Sequence, residues 1–451
     1  MKKRFTTVAS LVLATAMVAG CMAGCGSTSS SSSSSSSSAA DDTTTAADTQ
    51  EGTDETTAED AGSSSAVQTL IDATTGTVTL TVWASELQQE FTQKLIDEFK
   101  ALYPSVTFDI TLGACSESTA KDTVLTDVEA AADVYAFADD QINELVAAGA
   151  LQPVSASYTY DVQGENLAGA IEAATVDGTL YAYPMTASNG YFMFYSTEYF
   201  SEEDVTTLDK MMEVAAAAGK KVSMQIDNGW YLYSFFKGAG LDVGLNDDGV
   251  TNYCYWNGEG GTDVAQAILD ICSNEGFVSA TDAEFQTGIA EGTIIAGVSG
   301  TWDAEAAAEA WGDKYAAVKL PTFTVAGEQV QMSSYSGYKL IGVNPHSDFV
   351  GWSMLLAEYL TNEQSQVARF EATQEGPANT VAASSDSVLA NPAIAALAAQ
   401  AAYATPQRVG GNFWSPAETL GGILAAGNSD GTDLQTLLDT AVEGITAAAT
   451  E

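Results

Sequence analysis

The sequence predicts an α/β protein with two lobes. Segments with strand and helix periodicity alternate from about residue 77, and the same theme returns less regularly after residue 221. At 451 residues with 46% apolar composition, the chain is also longer than one compact core usually supports. Because parallel strands need crossover connections, the alternation predicts parallel sheets covered by helices. Ligands of such sheets bind beyond the carboxyl ends of the strands.

The first twenty residues have the layout of a secretory signal. Lys2, Lys3 and Arg4 precede an apolar stretch at 8–19, and small residues then lead to a cysteine. The apolar stretch is shorter than the roughly 20 residues that a membrane-spanning helix needs. We therefore expect residues 1–20 to be a signal peptide.

Two cysteines follow in sequences that resemble the lipobox of bacterial lipoproteins. Residues 18–21 read Val-Ala-Gly-Cys and residues 22–25 read Met-Ala-Gly-Cys. Acylation of Cys21 or Cys25, with palmitate among the acyl groups, would anchor the chain to the membrane. The alternative is a cleaved signal with incidental cysteines. We expect the lipid-anchored form, located on the extracellular face of the bacterial cell membrane.

The stretch from 21 to 75 is predicted to be a disordered tether behind the lipid anchor. It consists almost entirely of Ser, Thr, Ala, Asp, Glu and Gly, including an unbroken run of serine at 29–38. Such a composition buries too little apolar surface to offset the entropy lost on ordering. Folded structure is expected to begin at Thr77.

Periodicity places the elements that follow. An apolar stripe that begins at Leu87 predicts a helix that stops before Pro104. In the same region we predict strands at 77–83, 106–111 and 133–137. We also predict helices at 119–132 and 141–148. Later in the chain we predict strands at 221–226, 293–299 and 316–320 and helices at 351–360, 391–402 and 433–448.

Charge and residue usage exclude several functions. With 60 acidic and 15 basic residues, the net charge of −45 excludes nucleic acid as a partner. The single histidine, His346, lies in a turn-like stretch, which leaves little material for a histidine-based triad or metal site. A glycosidase needs only two carboxylates, but sixty acids make any chosen pair uninformative. We expect no enzymatic activity, no cofactor and no metal site.

Aromatic residues at predicted strand ends and turns are candidates for a ligand-binding wall. Rings at loop tips are poor core material, whereas the apolar face of a sugar stacks on a ring and its hydroxyls need polar partners. The aromatic candidates are Trp83, Phe137, Trp230, Tyr231, Trp302, Phe413 and Trp414. The polar candidates are Glu86, Asp139, Asp140, Gln141, Ser188 and Asn228. For each ring taken alone, packing beneath a loop is the alternative, and we assign Trp256, Trp311 and Trp352 to packing.

Several of these residues lie in stretches that resemble the maltose-binding type of extracellular solute-binding protein, which serves ATP-binding cassette (ABC) importers. Residues 79–83 are similar to the opening strand of that family, whose final Trp is followed by polar sugar contacts, here Ser85 and Glu86. The stretch around Asp140 also resembles a family segment. In this resemblance, Phe137 stands at the position of a sugar-stacking tryptophan and Asp140 at that of a hydroxyl-binding aspartate.

Other stretches extend the resemblance and also depart from it. Gln141 stands where the family has an arginine, and Ser188 occupies the position of a sugar-binding glutamate. Residues 228–231 resemble a segment in which an aromatic ring packs on the sugar. Trp302 and Trp414 match two stacking tryptophans. The stacking part of the resemblance is therefore stronger than the hydrogen-bonding part.

The resemblance implies a two-lobe, periplasmic-binding-protein-like fold with a hinge and a ligand cleft between the lobes. The hinge would consist of three crossings near Thr186, Ser336 and Ala383, which give an N-terminal lobe of 76–186 plus 337–383 and a C-terminal lobe of 187–336 plus 384–451. The implied ligand is an oligosaccharide, with a malto-oligosaccharide favoured. The implied partner is an ABC permease, with the protein acting as a monomer that touches the membrane through its lipid anchor only.

Other functions remain open at this stage. The chain could bind another sugar, a polyol or a related solute, or it could be a cell-surface glycosidase, sensor or adhesin. The sequence also leaves open whether Cys254 and Cys272 form a disulfide.

Overall fold

A computed structural model describes residues 65–155 and 157–448. The predicted signal peptide, Cys21, Cys25 and most of the predicted tether lie outside the described residues. The described strands are β1 (Thr77–Ala84), β2 (Thr107–Ala114), β3 (Val134–Ala138), β4 (Thr175–Val176), β5 (Thr179–Leu180), β6 (Ala182–Thr186), β7 (Tyr191–Ser196), β8 (Lys221–Ser223), β9 (Val243–Leu245), β10 (Asn252–Cys254), β11 (Phe277–Val278), β12 (Ile294–Gly300), β13 (Tyr315–Val318), β14 (Thr322–Val325), β15 (Glu328–Gln331), β16 (Ser334–Ser336), β17 (Lys339–Val343) and β18 (Ala404–Pro406).

The helices are numbered in chain order in the same way. They are α1 (Ser65–Ala73), α2 (Gln89–Leu102), α3 (Ala120–Thr126), α4 (Ile142–Ala147), α5 (Val162–Glu165), α6 (Ala168–Ala173), α7 (Leu208–Ala217), α8 (Gly229–Gly238), α9 (Gly261–Cys272), α10 (Asp282–Ala290), α11 (Ala304–Trp311), α12 (Val350–Thr361), α13 (Glu363–Thr373), α14 (Thr380–Ala383), α15 (Asp386–Leu389), α16 (Pro392–Gln400), α17 (Trp414–Ala425) and α18 (Leu434–Ile445).

Two five-stranded sheets organise the chain into two lobes. The sheet of the first lobe has the order β2-β1-β3-β17-β6, and that of the second has the order β11-β8-β12-β7-β13. Each sheet contributes to its own buried apolar core, the first centred on residues such as Leu80, Phe99 and Trp352. The core of the second lobe includes Met193, Phe236 and Trp256. The prediction of two α/β lobes is therefore confirmed.

Each sheet is mixed, which corrects the prediction of parallel sheets. In the first sheet β17 runs antiparallel to both β3 and β6, and in the second sheet β7 runs antiparallel to both β12 and β13. The alternation of strand and helix detects only strands that return through a crossover within one lobe. Both antiparallel strands instead enter their sheet directly from elements of the other lobe.

The chain passes between the two sheets at three places. It leaves the first sheet after β6 and joins the second at β7, and it returns after β16 to form β17. After the helices that follow β17, α16 packs against β7 and β13 of the second sheet. This path brings the carboxyl ends of β1 and β3, the start of β17 and the end of β12 into the region where the lobes meet.

The described structure begins earlier than the sequence predicts. Helix α1 lies inside the predicted tether, and Val67 is buried in the core of the first lobe, where Leu70 and Ile71 also pack. The indole Nε1 of Trp352 donates a hydrogen bond to Thr74 Oγ1 at 2.8 Å. The assignment of 65–75 to a disordered tether is therefore wrong, because the apolar residues at 67, 70 and 71 form one helical face amid small polar neighbours.

Most predicted elements exist, with shifts of a few residues at their ends. The exception is the helix predicted at 119–132, which ends at Thr126. The carbonyl oxygens of Val128 and Ala131 accept hydrogen bonds from Asn344 Nδ2 at 2.8 and 3.4 Å. Asn344 thus donates to carbonyl oxygens within the segment that the sequence predicted to be helical.

Within residues 65–155 and 157–448, none of the helices is both long and apolar enough to cross a membrane. Cys254 and Cys272 are free thiols, so the structure does not pair them.

Candidate ligand-binding cleft

Two tryptophan rings of the second lobe lie side by side where the lobes meet. Trp302 follows the end of β12 and Trp230 lies in the first turn of α8. Their ring centroids are 5.6 Å apart at an interplanar angle of 33°, and both side chains are half-buried. Buried Tyr191 supports the pair from below, with its ring 4.8 Å from that of Trp230 and its hydroxyl donating to Trp230 O at 2.8 Å. We call Trp230 and Trp302 the tryptophan pair.

Local sequence explains how the tryptophan pair is positioned. Asn228 caps α8, because its Oδ1 accepts a hydrogen bond from Trp230 N at 2.9 Å. Gly300 lets the ring of Trp302 fold back over the end of β12, since a Cβ at that glycine would come within 2.0 Å of the ring. Asp282 then fixes the ring orientation by accepting from Trp302 Nε1 at 3.1 Å.

Two carboxylates lie behind the tryptophan pair. Asp282 also accepts from the Tyr231 hydroxyl at 3.4 Å, while Asp303 accepts from Ser299 Oγ and Gln286 Nε2, each at 2.6 Å. Burial raises the pKa of Asp282, and burial together with the neighbouring Asp282 raises the pKa of Asp303 to about 6.

A charged cluster of the first lobe faces the tryptophan pair. Lys339, the first residue of β17, places its Nζ 5.6 Å from the ring centroid of Trp302. The same ammonium lies 2.5 Å from Glu375 Oε1 and 4.0 Å from Glu117 Oε2. Burial alone would lower the pKa of Lys339, but the two glutamates raise it above its usual value. Lys339 therefore remains positively charged while contacting an aromatic ring of the opposite lobe.

A second polar contact joins the lobes beside this cluster. Asp139, buried just after β3, accepts from Arg408 Nη1 at 3.2 Å and from Tyr338 N at 3.0 Å. Burial raises the pKa of Asp139 although Arg408 acts to lower it. Where the lobes meet, rings thus lie on one side and charged groups on the other.

Residues 94–396 match the sequence model of the family described as bacterial extracellular solute-binding protein. The chain belongs to this family. Membership places this solute-binding protein outside the cytoplasm, in an extracellular or periplasmic location. Comparison with curated proteins found no match.

Solved structures with the same fold are numerous. One described as being "with acarbose" is 29% identical, with a TM-score of 0.70, and covers 80% of this chain and 99% of its own. The ligand-free maltodextrin-binding protein MalE1 from L. casei BL23 is 25% identical, with a TM-score of 0.67, and covers 83% of this chain and all of its own. A Thermus thermophilus maltotriose-binding protein bound with maltotriose, 18% identical with a TM-score of 0.70, covers 81% and 99%. The periplasmic-binding-protein-like fold predicted from the sequence is confirmed.

The structure of this solute-binding protein brings some predicted site residues together. Trp230 and Trp302 are adjacent, and Trp414 is half-buried at the start of α17. On the first lobe, Trp83 is half-buried near the end of β1, and Ser85 Oγ donates to Glu117 Oε1 at 2.9 Å. The exposed Glu86 begins the short helical turn that follows.

Three predicted stacking rings are not available to a ligand in this arrangement. Phe137, Tyr231 and Phe413 are at most 2% exposed. Phe137 lies on β3, whose residues are all buried, and Phe413 packs between Trp256 and Tyr335. Their assignment as ligand platforms is corrected to core packing, because each ring is surrounded by its own lobe. Trp256 and Trp352 are buried as predicted.

Several predicted polar contacts are occupied by the protein itself. Gln141 accepts from Lys121 N at 2.8 Å and donates to the carbonyls of residues 117 and 118. Ser188 accepts from Thr301 Oγ1 at 3.0 Å and from Gly376 N at 2.7 Å, so it ties the first crossing to both lobes. Asn228 is a helix cap and Asp139 an ion-pair partner. Asp140 differs, since its buried Oδ1 has no partner among the described residues.

Sequence reasoning missed the charged cluster around Lys339. Lys339, Glu117 and Glu375 come from three separated segments that meet only in the fold. Asp282 was missed for the same reason. The one sequence signal was Lys339, since lysine is scarce in this chain and here starts an otherwise apolar strand. In the described part of the chain, no cluster of three or more His, Cys, Asp or Glu could hold a metal ion.

Proposed function

We propose that this protein is the substrate-binding lipoprotein of an ABC importer and captures an oligosaccharide in the cleft between its lobes. A malto-oligosaccharide is the favoured ligand. The observation that carries the proposal is the half-buried tryptophan pair, held by Asp282 and facing Lys339 of the opposite lobe. Rings supply an apolar surface for a sugar face, and the ammonium and carboxylates supply partners for its hydroxyls.

The neighbouring structures support this ligand class. Acarbose, maltodextrin and maltotriose appear in the descriptions of proteins with the same fold, and two of these proteins are at least 25% identical to this chain. The tryptophan pair occupies the wall that such a ligand would need. Another sugar or polyol with an exposed apolar face would satisfy the same chemistry, so the ligand panel below includes both.

Ligand capture is coupled to the approach of the two lobes. A sugar that touches both the tryptophan pair and the Lys339 cluster gains the two sets of contacts only when the lobes are together. This difference in affinity favours the closed arrangement, as any ligand-driven closure requires. The importer would then recognise the closed form.

Binding without catalysis is the function that the carboxylates support. Asp282 and Asp303 are the carboxylates nearest the tryptophan pair, and both accept hydrogen bonds from protein side chains. A glycosidase needs one carboxyl group to protonate the leaving oxygen and another to act as base or nucleophile. Asp282 instead orients the ring of Trp302, and Asp303 is held by Ser299 and Gln286.

The proposal also includes the bounds of the lobes and the lipid anchor. The lobes would comprise 76–186 plus 337–383 and 187–336 plus 384–451, with α1 added to the first. A monomer would be attached to the membrane through an acylated Cys21 or Cys25. Mass spectrometry of the N-terminal peptide from the purified membrane-bound protein would identify the acylated cysteine, and an unmodified, cleaved N-terminus would refute the anchor.

Isothermal titration calorimetry against maltose, maltotriose, maltotetraose, cello-oligosaccharides and sorbitol tests the main proposal. We expect binding of at least one malto-oligosaccharide, with a change in tryptophan fluorescence because Trp302 and Trp230 line the cleft. Binding of sorbitol alone would favour the polyol alternative. Sustained release of shorter sugars during incubation would indicate a glycosidase, and no response to any sugar would refute the proposal.

A further inference from the structure

Four charged side chains meet on the first lobe opposite Trp302. We call Lys339, Arg369, Glu117 and Glu375 the balanced cluster. Their formal charges are two positive and two negative. They come from three segments: Glu117 follows β2, Lys339 starts β17, and Arg369 and Glu375 lie within and just after α13.

The cluster is closely connected and almost fully buried. The Lys339 ammonium is 2.5 Å from Glu375 and 4.0 Å from Glu117, whose side chains are 2% and 8% exposed. Gln88 Nε2 donates to Glu375, and Ser85 Oγ donates to Glu117 at 2.9 Å. Arg369, only 2% exposed, donates to Leu360 O at 3.1 Å, and its Nε and Nη1 have no partner among the described residues. Both glutamates act to raise its pKa.

Both cations keep their charge at neutral pH. Burial lowers the pKa of Arg369 only to about 10, and the glutamates hold the pKa of Lys339 above its usual value. A carboxylate removed from this group would therefore leave an uncompensated positive charge in a site with little access to water. The balance depends on Glu117 and Glu375 together.

The cluster reaches the cleft through Lys339. Its ammonium lies 5.6 Å from the ring centroid of Trp302, so a sugar on that ring would lie within reach of the cluster. Neutral hydroxyls would find donors at Lys339 and acceptors at the glutamates. A ligand carboxylate would lose its hydration and find no net positive charge, while Asp282 beside Trp302 adds negative charge on the opposite wall.

We propose that the balanced cluster selects neutral oligosaccharides over those carrying a carboxylate, and that Glu375 is the residue that sets this selectivity. The inference rests on the proposed function, because it assumes that a sugar binds on the tryptophan pair. It adds a prediction that the proposed function does not make, namely that one buried glutamate controls the charge class of the ligand.

The experiment compares matched ligands rather than absolute affinities. The probes are maltotriose and two singly oxidised forms that carry a glucuronate at the reducing or the non-reducing end. Calorimetry gives the ratio of affinities, neutral over oxidised, for the wild type, Glu375→Gln and Lys339→Gln. We expect a ratio of about tenfold or more for the wild type with at least one oxidised form, since a unit charge in a partly desolvated site interacts strongly.

The two variants should move this ratio in opposite directions. Glu375→Gln leaves the cluster with a net positive charge and should lower the ratio about tenfold, whereas Lys339→Gln leaves a net negative charge and should raise it. A purely structural defect would weaken both ligands and would not reverse sign between the variants. Glu309→Gln, on the exposed part of α11, makes the same change in net charge elsewhere and should leave the ratio unchanged.

The outcomes separate the two proposals. Wild-type binding of maltotriose with equal ratios in Glu375→Gln and Lys339→Gln overturns this inference and leaves the proposed function standing. A wild type that prefers an oxidised form overturns the inference as well. Failure of the wild type to bind any of these three sugars overturns the inference, and failure across the whole panel of the proposed-function titration overturns both. If Glu375→Gln does not fold, as judged by circular dichroism, an unchanged ratio in Lys339→Gln alone still overturns the inference.

Discussion

The two walls of the proposed cleft differ in the kinds of side chain that form them. The second lobe contributes the tryptophan pair on a well-packed aromatic base, and the first lobe contributes the balanced cluster. Rings provide contact area with little dependence on direction, whereas charged hydrogen-bonding groups are strongly directional. The comparison suggests a division of labour in which the second lobe supplies affinity for sugar faces and the first lobe supplies selectivity.

The largest effect should come from removing a ring that belongs to a core. Phe137→Ala should destabilise the protein by about 3–5 kcal/mol, because the ring is fully buried and its loss leaves a cavity. Phe413→Ala in the second lobe should cost a similar amount. Urea unfolding monitored by circular dichroism gives both values. If either variant lost ligand affinity with unchanged stability, that ring would belong to the wall instead of the core.

The next effect concerns the polar groups of the first lobe and pH. Burial, reinforced by neighbouring Asp139, raises the pKa of Asp140 from 3.8 in the reference state to about 7. Between these two values the folded protein holds more protons than the unfolded chain, so this residue's contribution to stability is full below pH 3.8 and is lost as pH rises through about 7.

Asp140→Asn should therefore be more stable than the wild type at pH 8, by on the order of 1–2 kcal/mol, and should lose that advantage near pH 4. Thermal and urea unfolding at pH 4, 6 and 8 would measure the difference. The exposed Asp348→Asn serves as control and should show no such crossover. An advantage for Asp140→Asn that grew toward low pH would contradict the assignment.

A smaller effect is expected from Trp302 of the tryptophan pair and from Trp414 at the start of α17. Trp302→Ala and Trp414→Ala should each weaken oligosaccharide binding by about 0.5–1.5 kcal/mol or more, the scale of an aromatic contact beyond its buried area. Trp302→Phe keeps a ring but loses the hydrogen bond to Asp282, and it should recover part of the affinity. Calorimetry measures all three. Unchanged affinity in both alanine variants would move the binding site away from this wall.

The smallest effect should come from the exposed acid at the edge of the first wall. Glu86→Gln should change affinity for a neutral oligosaccharide by less than about 0.5 kcal/mol, because an exposed charge in water contributes little. The same calorimetric titration tests it. A loss larger than that of Trp302→Ala would mean that Glu86, rather than the balanced cluster, directs the ligand on this wall.

Much of the fold could be predicted because it is encoded locally. The alternation that predicts β1, α2 and β3 follows from side chains a few positions apart, as does the end of α2 before Pro104. The direction of β7 and β17 could not be predicted in this way. Each is antiparallel to its neighbours because the chain arrives from the other lobe, which is a property of the whole path.

The site was predictable only in part for a related reason. Trp230 and Trp302 stand out because glycines precede them at the ends of elements, and this signal led to their prediction as cleft residues. Phe137 at a predicted strand end and Phe413 after two glycines were selected in the same way but are buried, because burial depends on what packs over them. Glu117 and Glu375 are two among sixty acidic residues, and only tertiary structure places both beside Lys339.

Helix α1 has a mechanical consequence. Through Val67 and the Trp352–Thr74 hydrogen bond it is fastened to the first lobe, so tension applied at the N-terminal side of the chain is transmitted into that lobe. If the protein is held at its N-terminus, the lobe with the balanced cluster is the one directly attached, and the lobe with the tryptophan pair is attached only through it. This nine-residue helix thus reinforces the attachment to the first lobe, which the chain enters at β1.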